Sequence, residues 1–196
     1  MHWLTLEHGR VATLARGARR PKSPFLGRLD LFFECEFSFQ RSRQSDLHAL
    51  REVRLVDPHA RLREELGWLE QASYAATFLE QVTETDTPLR EVACLFHDFL
   101  VHLTRQPPQA RTVFAFEIKL LRELGLEPGG AAREGTVAVA LARRLADASW
   151  EDIASLQVPA DEARALRQFL HGFLLQQFGR LARGRADALH AGRLTR

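Results

Sequence analysis

The hydrophobic period of this chain changes once, and that change limits its fold more than any other feature. Over 29–39 the residues alternate. Leu29, Leu31, Phe33, Cys35, Phe37 and Phe39 share one side, while Asp30, Glu34, Glu36 and Ser38 share the other, followed by Gln40. A period of two over that length predicts an antiparallel strand with one wet face. Phe32 is the one aromatic out of step. Beyond Pro58 the apolar positions become Leu62, Leu66, Leu69, Ala72, Ala76 and Leu79, which is helical spacing.

Weaker alternation marks 47–55, and short strands are expected over 10–16 and 3–6, with His8-Gly9 as a hairpin turn. Pro21 and Pro24 put the segment between the second and third strands in a loop. In the second half, helices are expected from Pro88 to about 103 and over 110–124, with Gly125 as the stop. A loop at Gly129-Gly130 precedes another near 134–147. Ser149-x-x-Asp152 opens a short helix as a capping box, and a long one follows Pro159 with Leu166, Phe169, Leu170, Phe173 and Leu174 on one stripe. Strands followed by helices predict an α+β chain that divides near 56–59. Residues 1–57 are expected to form a small curved barrel of the oligonucleotide-binding (OB) class, and 58–196 an α-helical domain with a basic C-terminal tail.

Charge is distributed unevenly although the net value is only +2. Residues 8–28 hold six cations (Arg10, Arg16, Arg19, Arg20, Lys22, Arg28) and no acid, and 57–103 hold three arginines against nine acids. Residues 179–196 hold five arginines and one aspartate. Basic ends around an acidic middle point to a polyanion partner. Hydrophobic residues make up 45% of the chain, enough for a packed core, but the longest apolar runs, such as 138–142, are too short to span a bilayer. No basic, apolar leader opens the sequence, so a cytoplasmic protein is expected. The two cysteines, Cys35 and Cys94, are far apart and outside any C-x-x-C pair, which excludes a disulfide framework and a cysteine zinc site.

The segment Glu7-His8-Gly9-Arg10-Val11-Ala12-Thr13-Leu14-Ala15-Arg16-Gly17-Ala18-Arg19-Arg20-Pro21-Lys22-Ser23 resembles the N-terminal signature of the RecO family. Phe116-Glu117-x-x-Leu120-Leu121-x-x-Leu124-Gly125-Leu126-x-Pro128 is similar to that family's central helix and its glycine stop. Phe169-Leu170-x-x-Phe173-Leu174 with Gly179-Arg180 and Arg183-Gly184-Arg185 is similar to its last helix and basic tail. The resemblance implies an OB fold followed by a helical domain, binding of single- and double-stranded DNA, and annealing of complementary strands. It also implies a mediator role in which the protein, with RecR and often RecF, helps RecA replace single-strand-binding protein on DNA gaps. It implies a further strand upstream of 2–6, so either an incomplete barrel or a wrongly placed start codon is expected. The family's zinc module usually follows the Leu-Gly-x-x-Pro stop; here Gly129-Gly130-Ala131-Ala132-Arg133 leads straight to the next helix, and no cofactor is expected.

Arg16, Arg19, Arg20, Lys22 and Arg28 are the expected DNA-binding residues, because guanidinium groups neutralise phosphates without reading bases. Phe32 is the one aromatic placed to stack on a base. Arg111, Lys119 and Arg122 fall on one stripe of their helix, an expected site for the acidic tail of single-strand-binding protein. Glu117 falls among Leu120, Leu121 and Leu124 on the core side and calls for an arginine partner. Two other functions compete: an RNA-binding or ribosome-associated barrel protein, and a metal-dependent phosphohydrolase built on His97-Asp98 with His102 one turn away. No Walker loop, G-x-S-x-G or H-E-x-x-H stands in the chain, so a non-enzyme is expected.

Overall fold

Four strands carry the first part of the chain: β1 (His2–Thr5), β2 (Gly9–Leu14), β3 (Glu34–Gln40) and β4 (Leu47–Asp57). The computed structural model describes residues 1–128 and 135–191. The expected Gly129-Gly130 loop, the segment to Arg133, and Arg193 and Arg196 of the tail lie outside the described residues. The strands pair in the order β1-β2-β4-β3. The outer pairs are antiparallel and the central β2–β4 pair is parallel. In place of the expected barrel this is an open mixed sheet, as in an incomplete OB-like fold. The edge strands share no ladder but do touch through side chains, with the Trp3 and Phe37 rings stacked 4.2 Å apart.

The expected strand over 29–39 starts later than its alternation suggests. Glu34 pairs with Asp57, the last residue of β4, and Pro58 follows. Proline donates no hydrogen bond, so the β3–β4 ladder starts at Glu34, and Leu31 and Phe32 form a turn before it.

Two compact units result, Met1–Arg61 with Thr83–Cys94, and Leu62–Val82 with Leu95–Arg196. In the first, the strap 83–87 lies along the β1–β2 hairpin. Asp86 N–H donates to Arg10 O at 2.9 Å and the Arg10 guanidinium to Thr83 O at 2.6 Å. Gly9, at φ +65°, is required there, since a Cβ would stand 1.8 Å from Thr87 O.

The second unit is helical: α1 (Leu66–Val82), α2 (Arg90–Leu103, which begins in the first unit), α3 (Ala110–Glu123), α4 (Val137–Asp147), α5 (Trp150–Ser155), α6 (Ala160–Phe178) and α7 (Arg185–His190). Among the described residues no helix is long and apolar enough to cross a membrane. α3 is central, buried without a break from Thr112 to Ile118, and packs on α1, α4, α5 and α7. It stops as expected at Gly125 (φ +72°): Leu126 N–H bonds back to Leu121 O at 2.8 Å and Gly125 N–H to Arg122 O at 2.9 Å, the paired bonds of a Schellman stop. Ser149 and Asp152 form the expected capping box of α5.

Glu117 is fully buried and is met by Arg185 of α7, whose Nε donates to Oε1 at 2.6 Å and Nη2 to Oε2 at 2.9 Å; the Tyr74 hydroxyl of α1 donates to Oε1. Burial and the neighbouring Glu117 carboxylate drive the Tyr74 phenol well above its ordinary range, so it stays protonated as the donor. Burial disfavours the charged Arg185, but Glu117 outweighs it and the guanidinium's pKa rises. Arg185 therefore does not belong to the expected solvated tail: it pins α7 to α1 and α3. His102 of α2 is also buried, 3% exposed, 5.0 Å from the Trp150 ring. Burial lowers its pKa to about 4, Glu151 opposing and Arg105 and Arg111 assisting, so it is neutral near pH 7. The Gln106 side-chain amide meets its Nε2, whereas Asp98 is exposed. His97 and Asp98, on which a phosphohydrolase reading rests, are exposed, whereas His102, one turn on, is buried with that nitrogen taken.

Two outcomes follow for stability. Glu117→Ala or Arg185→Ala leaves the other charge buried and should cost about 3–5 kcal/mol, read as a sharp fall in melting temperature, whereas Glu117→Leu with Arg185→Met should cost much less. For His102, the unfolded imidazole takes up a proton near pH 6.5 and the folded one only near about 4. Its stabilising contribution is therefore complete above pH 6.5 and is lost as pH falls towards 4. Urea melts at stepped pH should show that loss shrink in His102→Gln; an unchanged pH slope would show the ring is not buried neutral.

Candidate nucleic-acid interface

The expected basic loop leaves the end of β2 and returns to the start of β3 as a chain of tight turns. Ala18 N–H bonds Ala15 O at 3.3 Å, Arg20 to Gly17 O at 3.0 Å, Ser23 to Arg20 O at 3.0 Å, Leu26 to Ser23 O at 3.2 Å and Arg28 to Phe25 O at 3.1 Å. Gly17 takes φ +75°, with the Arg20 side chain across it. Turns alone would leave the loop loose; Phe25 fastens it. Its ring is 7% exposed and packs with Leu50 and Val53, and Trp3, Ala15, Ala18, Leu29, Cys35 and Phe37 close round them. The Arg28 guanidinium donates to Val53 O at 3.1 Å, and the Cys35 thiol to Arg28 O at 3.6 Å. Burial, with Glu34 adding to it, raises the Cys35 pKa and keeps it a thiol.

Arg16, Arg19, Arg20, Lys22 and Arg28 are all exposed. Among the described residues no carboxylate pairs with the first four, whereas Arg28 spends one N–H on the fold. The loop thus offers several guanidinium forks and an ammonium on a braced backbone, a phosphate-binding chemistry without base readout. Phe32 is not on the wet face of a strand as expected. It is half-buried in the turn before β3, at φ +62°.

The α3 cations are engaged rather than free. Lys119 Nζ donates to Ala146 O at 3.0 Å and Ala148 O at 2.7 Å, and Arg122 to Ala146 O at 3.2 Å and to Asp147 at 2.8 Å. They satisfy the carbonyls that end α4, where cations also suit the helix dipole. Arg111 donates to Ala154 O at the end of α5. Burial lowers the pKa of Lys119, with Arg122 adding to it, and burial lowers that of Arg111. Of the tail, Arg180 and Arg183 are exposed.

One cationic stretch escaped the sequence reading. The β3–β4 turn carries Arg41 and Arg43, and β4 carries Arg51, all exposed, with Asp46 the one acid in 40–51. Arg51 donates to Gln40, while Arg54, farther along β4, is paired with Glu36. Cation density was visible in the sequence; what hid this cluster was its division between a turn and a strand.

The family model described as "Recombination protein O N terminal" matches residues 2–59, the sheet and its loop. The chain is 34% identical over 125 residues to the DNA repair protein RecO of Anaeromyxobacter dehalogenans (strain 2CP-C), covering 64% of this chain and 49% of that protein. It is 32% identical over 125 residues to that of Rhodopirellula baltica, covering 64% and 46%. It is 33% identical over 134 residues to that of Symbiobacterium thermophilum, covering 67% and 52%. The chain spans about half the length of the curated relatives it matches. By its N-terminal match and by these likenesses, it is related to the RecO family.

Proposed function

We propose that this chain is a non-catalytic DNA-binding repair protein of the recombination-mediator kind. Residues 1–57 serve as its DNA-binding domain and 58–196 as a helical domain. It binds single- and double-stranded DNA through the phosphate backbone, anneals complementary strands and, with RecR, helps RecA load onto DNA covered by single-strand-binding protein. It acts in the cytoplasm at the nucleoid, without a bound cofactor. The observation that carries this reading is the braced, acid-free loop: Arg16, Arg19, Arg20 and Lys22 are exposed on a sheet whose sequence matches the RecO N-terminal model. Arg111, Lys119 and Arg122 remain the proposed contact for the acidic tail of single-strand-binding protein, with the Arg122 side chain 38% exposed in its pair with Asp147. A carboxylate from the tail would replace that aspartate.

Titration of the full chain with DNA at stepped salt tests the loop. Arg19→Ala with Arg20→Ala removes two phosphate contacts. The slope of log affinity against log salt should therefore fall by about 1.4 for single strands and about 1.8 for duplex. Affinity should weaken alike for every sequence tried. An unchanged slope would remove the loop as the binding site. Annealing should survive a chelator; chelator-sensitive turnover of a phosphoester would support a hydrolase, and tighter binding of structured RNA an RNA-binding role.

A further inference from the structure

At the β3–β4 hairpin end of the sheet, rings form a continuous ladder. Trp3 stacks on Phe37 at 4.2 Å and 22°, and Phe37 meets Phe39 at 5.8 Å and 33°. Phe39 lies parallel to His48 at 5.3 Å and 4°, with His8 edge-on at 5.7 Å. His48 is a buried backing plate whose Nδ1 accepts from Ser42 N–H at 3.3 Å, which ties the hairpin to it. Trp3 is fixed by its indole N–H, which donates to Thr13 Oγ1 at 2.7 Å. Trp3, Phe37, Phe39 and His8 all stay half-exposed, because among the described residues no strand joins β1 to β3 and closes over them. The Arg41 guanidinium lies 5.9 Å from the centre of the Phe39 ring, its side chain 57% exposed and its one acidic neighbour, Asp86, at 3.6 Å.

We propose that this end of the sheet is a stacking site for unpaired nucleobases, which makes the protein prefer single-stranded to double-stranded DNA. Phe39 and the Arg41 guanidinium hold one base between a π face and a planar cation, and Phe37 and Trp3 extend the platform. Arg41, Arg43 and Arg51 supply the positive charge for the flanking phosphates. Every base has a π face, so the site tolerates any sequence. In a duplex those faces are hidden in the stack, and only phosphate contacts remain. The loop of 15–29 binds phosphates alone and cannot make that distinction. The inference rests on the reading of this chain as a DNA-binding protein and adds a second site and a strand preference to it.

The test compares the parent, Phe39→Leu and Arg41→Ala as full chains, each titrated with a dT oligonucleotide and with a duplex of equal length. Thermal melts run beside them. Phe39→Leu keeps an apolar side chain against His48 but no π face. It should weaken dT binding about tenfold and leave duplex binding nearly unchanged, since loss of one stacked base is of that order. Arg41 is exposed, so Arg41→Ala should fold as the parent does, and it should weaken dT binding more than duplex binding. Should Phe39→Leu melt early, Arg41→Ala alone decides. Tryptophan fluorescence should be quenched by dT, and the quenching should shrink in Trp3→Phe. Variants that bind dT like the parent, or lose dT and duplex binding equally, would overturn the stacking site while the DNA-binding role stands. A parent that binds neither ligand would overturn both.

Discussion

The parallel pairing of β2 with β4 is the constraint from which the cationic loop of this molecule follows. Three register pairs, from Ala12 with Leu47 to Leu14 with Ala49, set the two strands side by side. β3 lies on the far side of β4 and runs against it, so a chain leaving β2 must pass β4 before it can enter β3. β4 continues to Asp57, well past the end of β2, and along that stretch no strand among the described residues flanks it on the β2 side. The turn-rich segment fills that place. Phe25 packs on Leu50 and Val53, and Arg28 reaches the Val53 carbonyl. The arginines therefore sit on a backbone that the sheet topology requires and the core holds.

The helical unit has an analogous dependence on one buried charge. Glu117 on a core-facing side of α3 would be intolerable alone, and both of its oxygens are met, Oε1 by Arg185 and Tyr74 and Oε2 by Arg185. That arrangement draws α7 onto α1 and α3, and Gln71 adds to it by donating to Ala188 O at 3.1 Å. Pairs of this kind add little net stability compared with apolar residues of the same volume, but they penalise any packing that leaves a charge unmet. Specifying where the last described helix docks is the role the geometry supports for it.

Much of this was legible in the residues, for identifiable reasons. The change of period at Pro58 separated strands from helices, Gly125 and Ser149-x-x-Asp152 marked helix ends by their own chemistry, and Glu117 announced a missing cation. The identity of that cation was not legible. Arg185 looked like one more arginine in a basic tail, and only packing separates it from its exposed neighbour Arg183. The Leu29–Phe33 stretch alternated like a strand, but the ladder with β4 begins only at Glu34, opposite Asp57, and ladder length is a property of two segments, not one. The α3 cations looked solvent-facing because a helical wheel cannot show that another helix ends beside them. The aromatic ladder was invisible for a similar reason. Trp3, Phe37 and His8 come from three stretches, and the curl of the open sheet brings them together.

The anchoring of Phe25 has a kinetic meaning. A disordered basic arm loses conformational entropy each time it settles on a backbone, and that cost reduces its affinity. Here the ordering takes place when the domain folds. Under the proposed function, an encounter with DNA would need no rearrangement of the main chain, only the collapse of long arginine side chains onto phosphates. Association should be governed by long-range attraction and thus by ionic strength, while dissociation is left to contacts made one side chain at a time. A protein built in this way can exchange rapidly along a strand, because letting go of one phosphate does not require the loop to unfold.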